Sequence, residues 1–185
     1  MLDVFKVRRS ADSDDVLKKL NAQMVEVVDL SAATTLEDVD SGKVFTVDAS
    51  TGFVITLPVA QKGLWYRFLI TKAGTDGAMA WVTSDAGTTS ATAQYMFGGL
   101  SINSTVATKS AAQVVTIAAA GPDGTESNFD TLTIENDTTD ECAAEGSVIE
   151  IIGVSETAWF VNGRLVTTLD DPASSAYIAA SAANG

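Results

Sequence analysis

Histidine is absent from these 185 residues, cysteine occurs once, at Cys142, and proline only three times. Without histidine the Ser-His-Asp and Cys-His mechanisms, the His-ligated zinc sites and the usual proton shuttle near neutral pH are all closed to these residues. A single cysteine permits neither an intrachain disulfide nor a thiolate cluster. With Glu141 and Glu145 beside it and no imidazole to favour a thiolate, Cys142 reads as an unreactive thiol. No apolar run reaches the roughly 18 residues of a membrane helix, and MLDVFKVRRS lacks the apolar stretch of an export signal. The expectation is a chain made and kept, or assembled, in a cytosol, with no membrane partner. Basic residues are scarce as well, 11 against 24 acids, and the resulting charge of −13 repels phosphates, so nucleic acid is not an expected partner.

What the chain does have is β-pattern. The stretch KVFTVDASTGFVITLPVAQKGLWYRFLIT, residues 43–71, reads as three strands broken by turn signals at Ser50-Thr51-Gly52 and Gln61-Lys62-Gly63: residues 44–49 and 53–57 alternate in two-residue periods, and residues 64–71 pack aromatic and branched residues together. Further strands are expected at residues 25–30, 79–84, 95–97, 114–118, 132–135, 147–154 and 157–161. Asn162-Gly163 is the strongest local turn signal, predicting a type I′ hairpin that joins residues 158–161 to 164–167. Residues 84–92 and 100–112, rich in Ser, Thr, Ala and Gly, read as long surface loops. The fold class is therefore all-β, an antiparallel β-sandwich or β-barrel, spanning residues 24–170.

Two flanking segments differ in composition. Residues 1–23 form a basic arm carrying Lys6, Arg8, Arg9, Lys18 and Lys19, whereas the residues after position 19 hold six basic side chains against twenty acids. Within the arm, SDDVLKKLN (residues 13–21) predicts a short helix, capped by Ser13, with acids at its N-terminal end and lysines at its C-terminal end. Its apolar stripe of Val16, Leu17 and Leu20 is too small to hold a helix alone, so it is expected to pack on the β-body or on another chain. The arm as a whole reads either as a solvated tail or as a segment that orders on an acidic partner surface. Residues 171–185 read as a small-residue tail apt to lie along a neighbour through Tyr177 and Ile178.

Few constellations offer chemistry. Glu135, Asp137, Asp140, Glu141 and Glu145 crowd one loop, where paired carboxylates could serve acid-base hydrolysis or a weak Ca²⁺ site, but such density on a turn also describes a solvated face. Trp65, Trp81 and Trp159 with Tyr66 and Tyr95 could stack on sugars; their strand contexts favour the core. Gly98-Gly99 and Gly121-Pro122-Asp123-Gly124 lack the Lys and Ser/Thr of a phosphate cradle. The residues point to no enzyme, no catalytic or metal site and no cofactor.

Three segments, LSAATTLEDVDSGKVFTVDASTGFVITLP with GLWYRFLIT following it, and GSVIEIIGVSETAWFVNGRL near the other end, resemble small β-rich head decoration or capsid cement proteins of tailed bacteriophages. The likeness covers residues 30–71 and 146–165. It implies a virion protein, made in the host cytoplasm, that binds the outer face of the assembled head. It would bridge major capsid protein subunits there as a homotrimer. The residues expected to touch a partner are Phe5, Lys6, Arg8, Arg9, Leu17, Lys18, Leu20, Tyr177 and Ile178. The alternative is a tail-fibre or receptor-binding module that takes carbohydrate.

Overall fold

Phe45 and Phe68 stack with ring centroids 5.4 Å apart, and the Phe68 ring meets Trp81 edge-on at 5.6 Å. The second contact crosses between two sheets, and the chain is built around it. The structure, a computed structural model, describes residues 25–73, 77–87, 93–104, 113–117, 129–136, 143–168 and 178–181. Twelve strands run through them: β1 Val27–Leu30, β2 Thr34–Thr35, β3 Val44–Asp48, β4 Val54–Thr56, β5 Trp65–Lys72, β6 Gly77–Val82, β7 Tyr95–Ser104, β8 Gln113–Ile117, β9 Thr131–Asn136, β10 Val148–Gly153, β11 Ala158–Thr167 and β12 Ile178–Ser181. The one helical piece among the described residues is a 3₁₀ turn, Asp38–Asp40. The arm of residues 1–23, with its expected helix, lies outside the described residues.

The strands form a seven-stranded sheet, β1-β3-β5-β10-β11-β7-β8, and a five-stranded sheet, β12-β9-β6-β4-β2. The all-β expectation holds, and the interior is continuous between the two layers, as in a sandwich. Pairing is mixed rather than antiparallel throughout: β1-β3, β3-β5, β2-β4, β4-β6 and β7-β11 are parallel. The cause is the path of the chain. From β1 to β6 it alternates between sheets, so each strand lies beside the one two places earlier and runs the same way. A parallel neighbour needs a long crossover, and here a strand of the opposite sheet supplies it.

Alternation fixes which side chains face inward. In β5 Tyr66, Phe68 and Ile70 are buried while Arg67 and Lys72 are exposed. In-register neighbours repeat the choice, so Leu30, Val47 and Ile70 line one row, and Phe45, Phe68 and Ile149 the next. The second sheet answers with Ile55, Trp81 and Leu132 across β4, β6 and β9. Truncating a large side chain here, such as Phe68 to Ala, removes about 3–5 kcal/mol by transfer and cavity terms together.

One expected turn is absent, and the first residues of one expected loop are strand, the rest of that loop (105–112) lying outside the described residues. Asn162-Gly163 does not turn; β11 runs straight through it, paired with β10 on one side and β7 on the other. Two ladders of long-range pairing outweigh one local turn preference. Glycine is required there for space: a Cβ on Gly163 would sit 2.5 Å from the Val148 carbonyl oxygen and 2.9 Å from the Leu100 side chain. Residues 100–104, read as loop, extend β7 to Ser104, with Leu100 and Ile102 fully buried between two partner strands. The hairpin of β10 and β11 instead turns at residues 154–157, in the gap between the strands expected at 147–154 and 157–161, closed by Val154 N–H donating to the Ala158 carbonyl at 3.0 Å.

Candidate interaction surfaces

Of the residues expected to touch a partner, Phe5, Lys6, Arg8, Arg9, Leu17, Lys18, Leu20 and Tyr177 lie outside the described residues, as do Asp137, Asp140, Glu141 and Cys142. Ile178 opens β12, opposite Ile134 of β9. Residues 178–181 of the expected tail thus return to the chain's own five-stranded sheet as an edge strand. Glu135 and Glu145 are exposed, and among the described residues no group of three or more Asp, Glu or Cys side chains converges as a metal site would require.

The aromatic residues read from sequence as core divide into two sets. Trp81, Trp159 and Tyr66 are fully buried, but Trp65 and Tyr95 are only half-buried, on the outer face of the seven-stranded sheet. Trp65 lies opposite Ile152, Ile152 opposite Phe160, and Phe160 opposite Phe97. Since directly paired residues share a face, these four make one apolar row across β5, β10, β11 and β7. At the usual strand spacing the row is about 14 Å long. Phe97 and Phe160 rings are 5.5 Å apart, and Tyr95 continues the strip 6.2 Å from Phe97. The next row is polar. Arg67 Nε donates to Glu150 Oε1 at 2.8 Å, its guanidinium lies 5.2 Å from the Trp65 ring centre, and Asn162 follows beside Glu150. The legible signal was parity: Trp65 shares its face with Arg67, and Phe160 with Asn162.

A second feature is an acidic groove at one corner. It is a shallow depression, open to solvent and of about 460 Å³, between the segment Leu36, Glu37, Asp38 and Val39 and the segment Pro58, Val59 and Gln61. Val39 and Val59 are 77% and 59% exposed, unusual for valine, so the floor is apolar surface left to solvent. The acidic wall is held rigidly. Glu37 and Asp40 cap the 3₁₀ turn reciprocally, and Gln61 Nε2 donates to Asp38 Oδ2 at 2.6 Å. Behind it, the Tyr66 hydroxyl donates to the Glu37 carbonyl at 3.1 Å, and its pKa is raised by burial first and then by the charges of Asp38 and Asp40. Burial works to raise the Asp40 pKa, yet hydrogen bonds from Lys43 and the Glu37 N–H, with the Lys43 charge, hold it below the ordinary value. Lys43 Nζ also reaches Glu26 Oε1 at 3.3 Å, while no described cation pairs with Glu37 or Asp38.

A third cluster is structural. Gln94, 4% exposed, accepts at Oε1 from the Ala60 N–H (2.6 Å) and from Trp159 Nε1 (3.1 Å), and its Nε2 donates to Ser84 Oγ at 2.6 Å. One amide thereby joins β11 of the large sheet to the segments flanking β4 and β6 of the small one. Asp85 Oδ2 accepts from the Gln94 main-chain N–H at 2.9 Å, and Asp130 Oδ2 from that of Gly87 at 2.9 Å. These carboxylates fasten turns.

Comparison of the chain with protein-family models, with curated proteins and with solved structures finds no match to any of them.

Proposed function

We propose that the chain is a structural protein of a tailed-phage virion, a capsid decoration protein. In this reading it binds the outer surface of the assembled head and bridges major capsid protein subunits as a homotrimer, without catalysis or cofactor. The observation that carries the reading is the apolar row of Trp65, Ile152, Phe160 and Phe97, a continuous strip on the outer face of the large sheet. Half-buried aromatic side chains backed by a packed sheet lose little freedom on docking, and interface energy concentrates on such residues. Support comes also from position. The segments that carry the likeness to cement proteins build β2, β3, β4, nearly all of β5, β10 and most of β11, and β3, β5, β10 and β11 lie side by side in the large sheet.

The test is cryo-electron microscopy of purified virions, with stripped heads titrated with the purified protein. Density for this chain on the head exterior is expected. Replacing Phe97 and Phe160 together by Ser should lower head occupancy about tenfold or more while circular dichroism shows the fold retained. Absence from virions, or equal occupancy by the double variant, would overturn the assignment.

A receptor-binding tail module is the second reading, favoured by Trp65 and Tyr95 standing on the outer face, where an aromatic ring can meet a pyranose. Glycan-array or host-cell binding without head binding would select it.

A further inference from the structure

The acidic groove combines two properties that a solvated corner does not need together: an apolar floor of Leu36, Val39, Pro58 and Val59, and a wall of Glu37 and Asp38 left without a described cation. An occupant that matches it must present apolar side chains and positive charge within one short stretch. Among the residues outside the described structure, those before Val25 hold such a stretch, Val16-Leu17-Lys18-Lys19-Leu20. Arg8 and Arg9 add positive charge further back, beside Phe5 and Val7.

Reach agrees with chemistry. The described chain begins at Val25, and the Glu26 carboxylate shares the Lys43 ammonium with Asp40, the last residue of the 3₁₀ turn that walls the groove. The Glu26 carbonyl also accepts from Val44 N–H at 2.9 Å, which fixes the direction of entry beside that turn. Four residues separate Leu20 from Val25, and five peptide steps span up to about 17 Å when extended. The segment is therefore joined to the chain next to the groove that suits it, and tethering keeps it at a high local concentration there.

We propose that the groove formed by residues 36–39 and 58–61 is the docking site for the segment Val16-Leu17-Lys18-Lys19-Leu20 of the same chain. Leu17 and Leu20 cover the exposed Val39 and Val59, and Lys18 and Lys19 pair with Glu37 and Asp38. The inference stands apart from the proposed function; an acidic capsid surface would compete for the same lysines.

Zero-length carbodiimide coupling of the full-length protein, mixed from equal parts of ¹⁴N and ¹⁵N material, tests it by peptide mass spectrometry. Expected are cross-links from Lys18 or Lys19 to Glu37 or Asp38 with both peptides carrying one isotope. The variant Leu17→Ser with Leu20→Ser adds neither amine nor carboxylate, so it keeps the coupling chemistry, and should lose these links at least fivefold; raising salt to about 1 M should weaken them further, because exposed charges are screened within about 3 Å. Links of mixed isotope would assign the groove to a neighbouring copy's segment and overturn the same-chain assignment. Links scattered over Glu135, Glu145 and Glu156, or undiminished in the double variant, would overturn the docking site itself.

Discussion

Two tryptophans of similar burial do different work. Trp159 donates its indole N–H to Gln94, while the indole N–H of Trp81 is buried without a hydrogen-bond partner. Replacing either by Phe removes a comparable volume, so the difference isolates the hydrogen bond. Trp159→Phe is expected to destabilise more than Trp81→Phe by about 1 kcal/mol, since only the former deprives an acceptor and the latter relieves an orphaned donor. Urea melts of the two variants measure this directly. Equal midpoints would show that Gln94 is satisfied by the Ala60 N–H alone. Burial of these rings was legible in the sequence from their apolar neighbours. The outward placement of Trp65 and Tyr95 was not read, because aromatic content was weighed ahead of the parity that sets Trp65 beside Arg67.

Strands were read more accurately than their connections. β3 announces itself by alternation and β5 and β10 by dense branched and aromatic residues, whereas Ser50-Thr51-Gly52 looks the same whether the chain folds back on its own sheet or crosses to the other. Local turn chemistry also misled at Asn162-Gly163, since nothing nearby in sequence reveals that β7 and β10 lie on either side. Two substitutions separate strand from turn. Asn162→Thr, exposed within a central strand, should be neutral or slightly stabilising, as a β-branched residue suits the pleat. Gly163→Ala should cost about 1–3 kcal/mol because the Val148 carbonyl occupies the methyl position. In a type I′ turn Asn162→Thr would be the harmful change, so thermal melts of the pair discriminate. At the 3₁₀ turn, Asp40 titrates below its ordinary value, so its stabilisation is present above about pH 4, near its unfolded pKa, and is lost as pH falls through the folded one. Asp40→Asn should flatten that part of the acid limb of a Tm profile, by less than about 1 kcal/mol given its exposure.

At the scale of the whole molecule, two kinds of contact are open to a protein of charge −13: apolar contact through the row on the large sheet, and charge pairing through residues 1–23. They respond oppositely to salt. If the row carries attachment to heads, occupancy should persist when salt is raised toward about 1 M, where charge attraction is screened within about 3 Å. Loss of decoration over that range would transfer the role to Lys6, Arg8, Arg9, Lys18 and Lys19. Light scattering in the same salts reports whether self-repulsion between acidic bodies opposes self-association. A chemically quiet composition and an all-β body could be read from sequence; which face is apolar depends on register between strands far apart, which no local pattern records.

The winding of β1 to β6 also orders events during folding. Hydrogen-bonded partners between β1 and β3 stand 17 residues apart, and between β3 and β5 24 residues, whereas Arg67 and Glu150, on the seam between β5 and β10, are separated by 83. Chain entropy makes distant closures slower to reach, so the first turns can assemble from nearby sequence while the seam waits for the far half. Until β10 arrives, β5 exposes an unpaired edge bearing Trp65 and Leu69. The rate at which that edge is covered sets the interval during which a newly made chain can pair with the wrong neighbour.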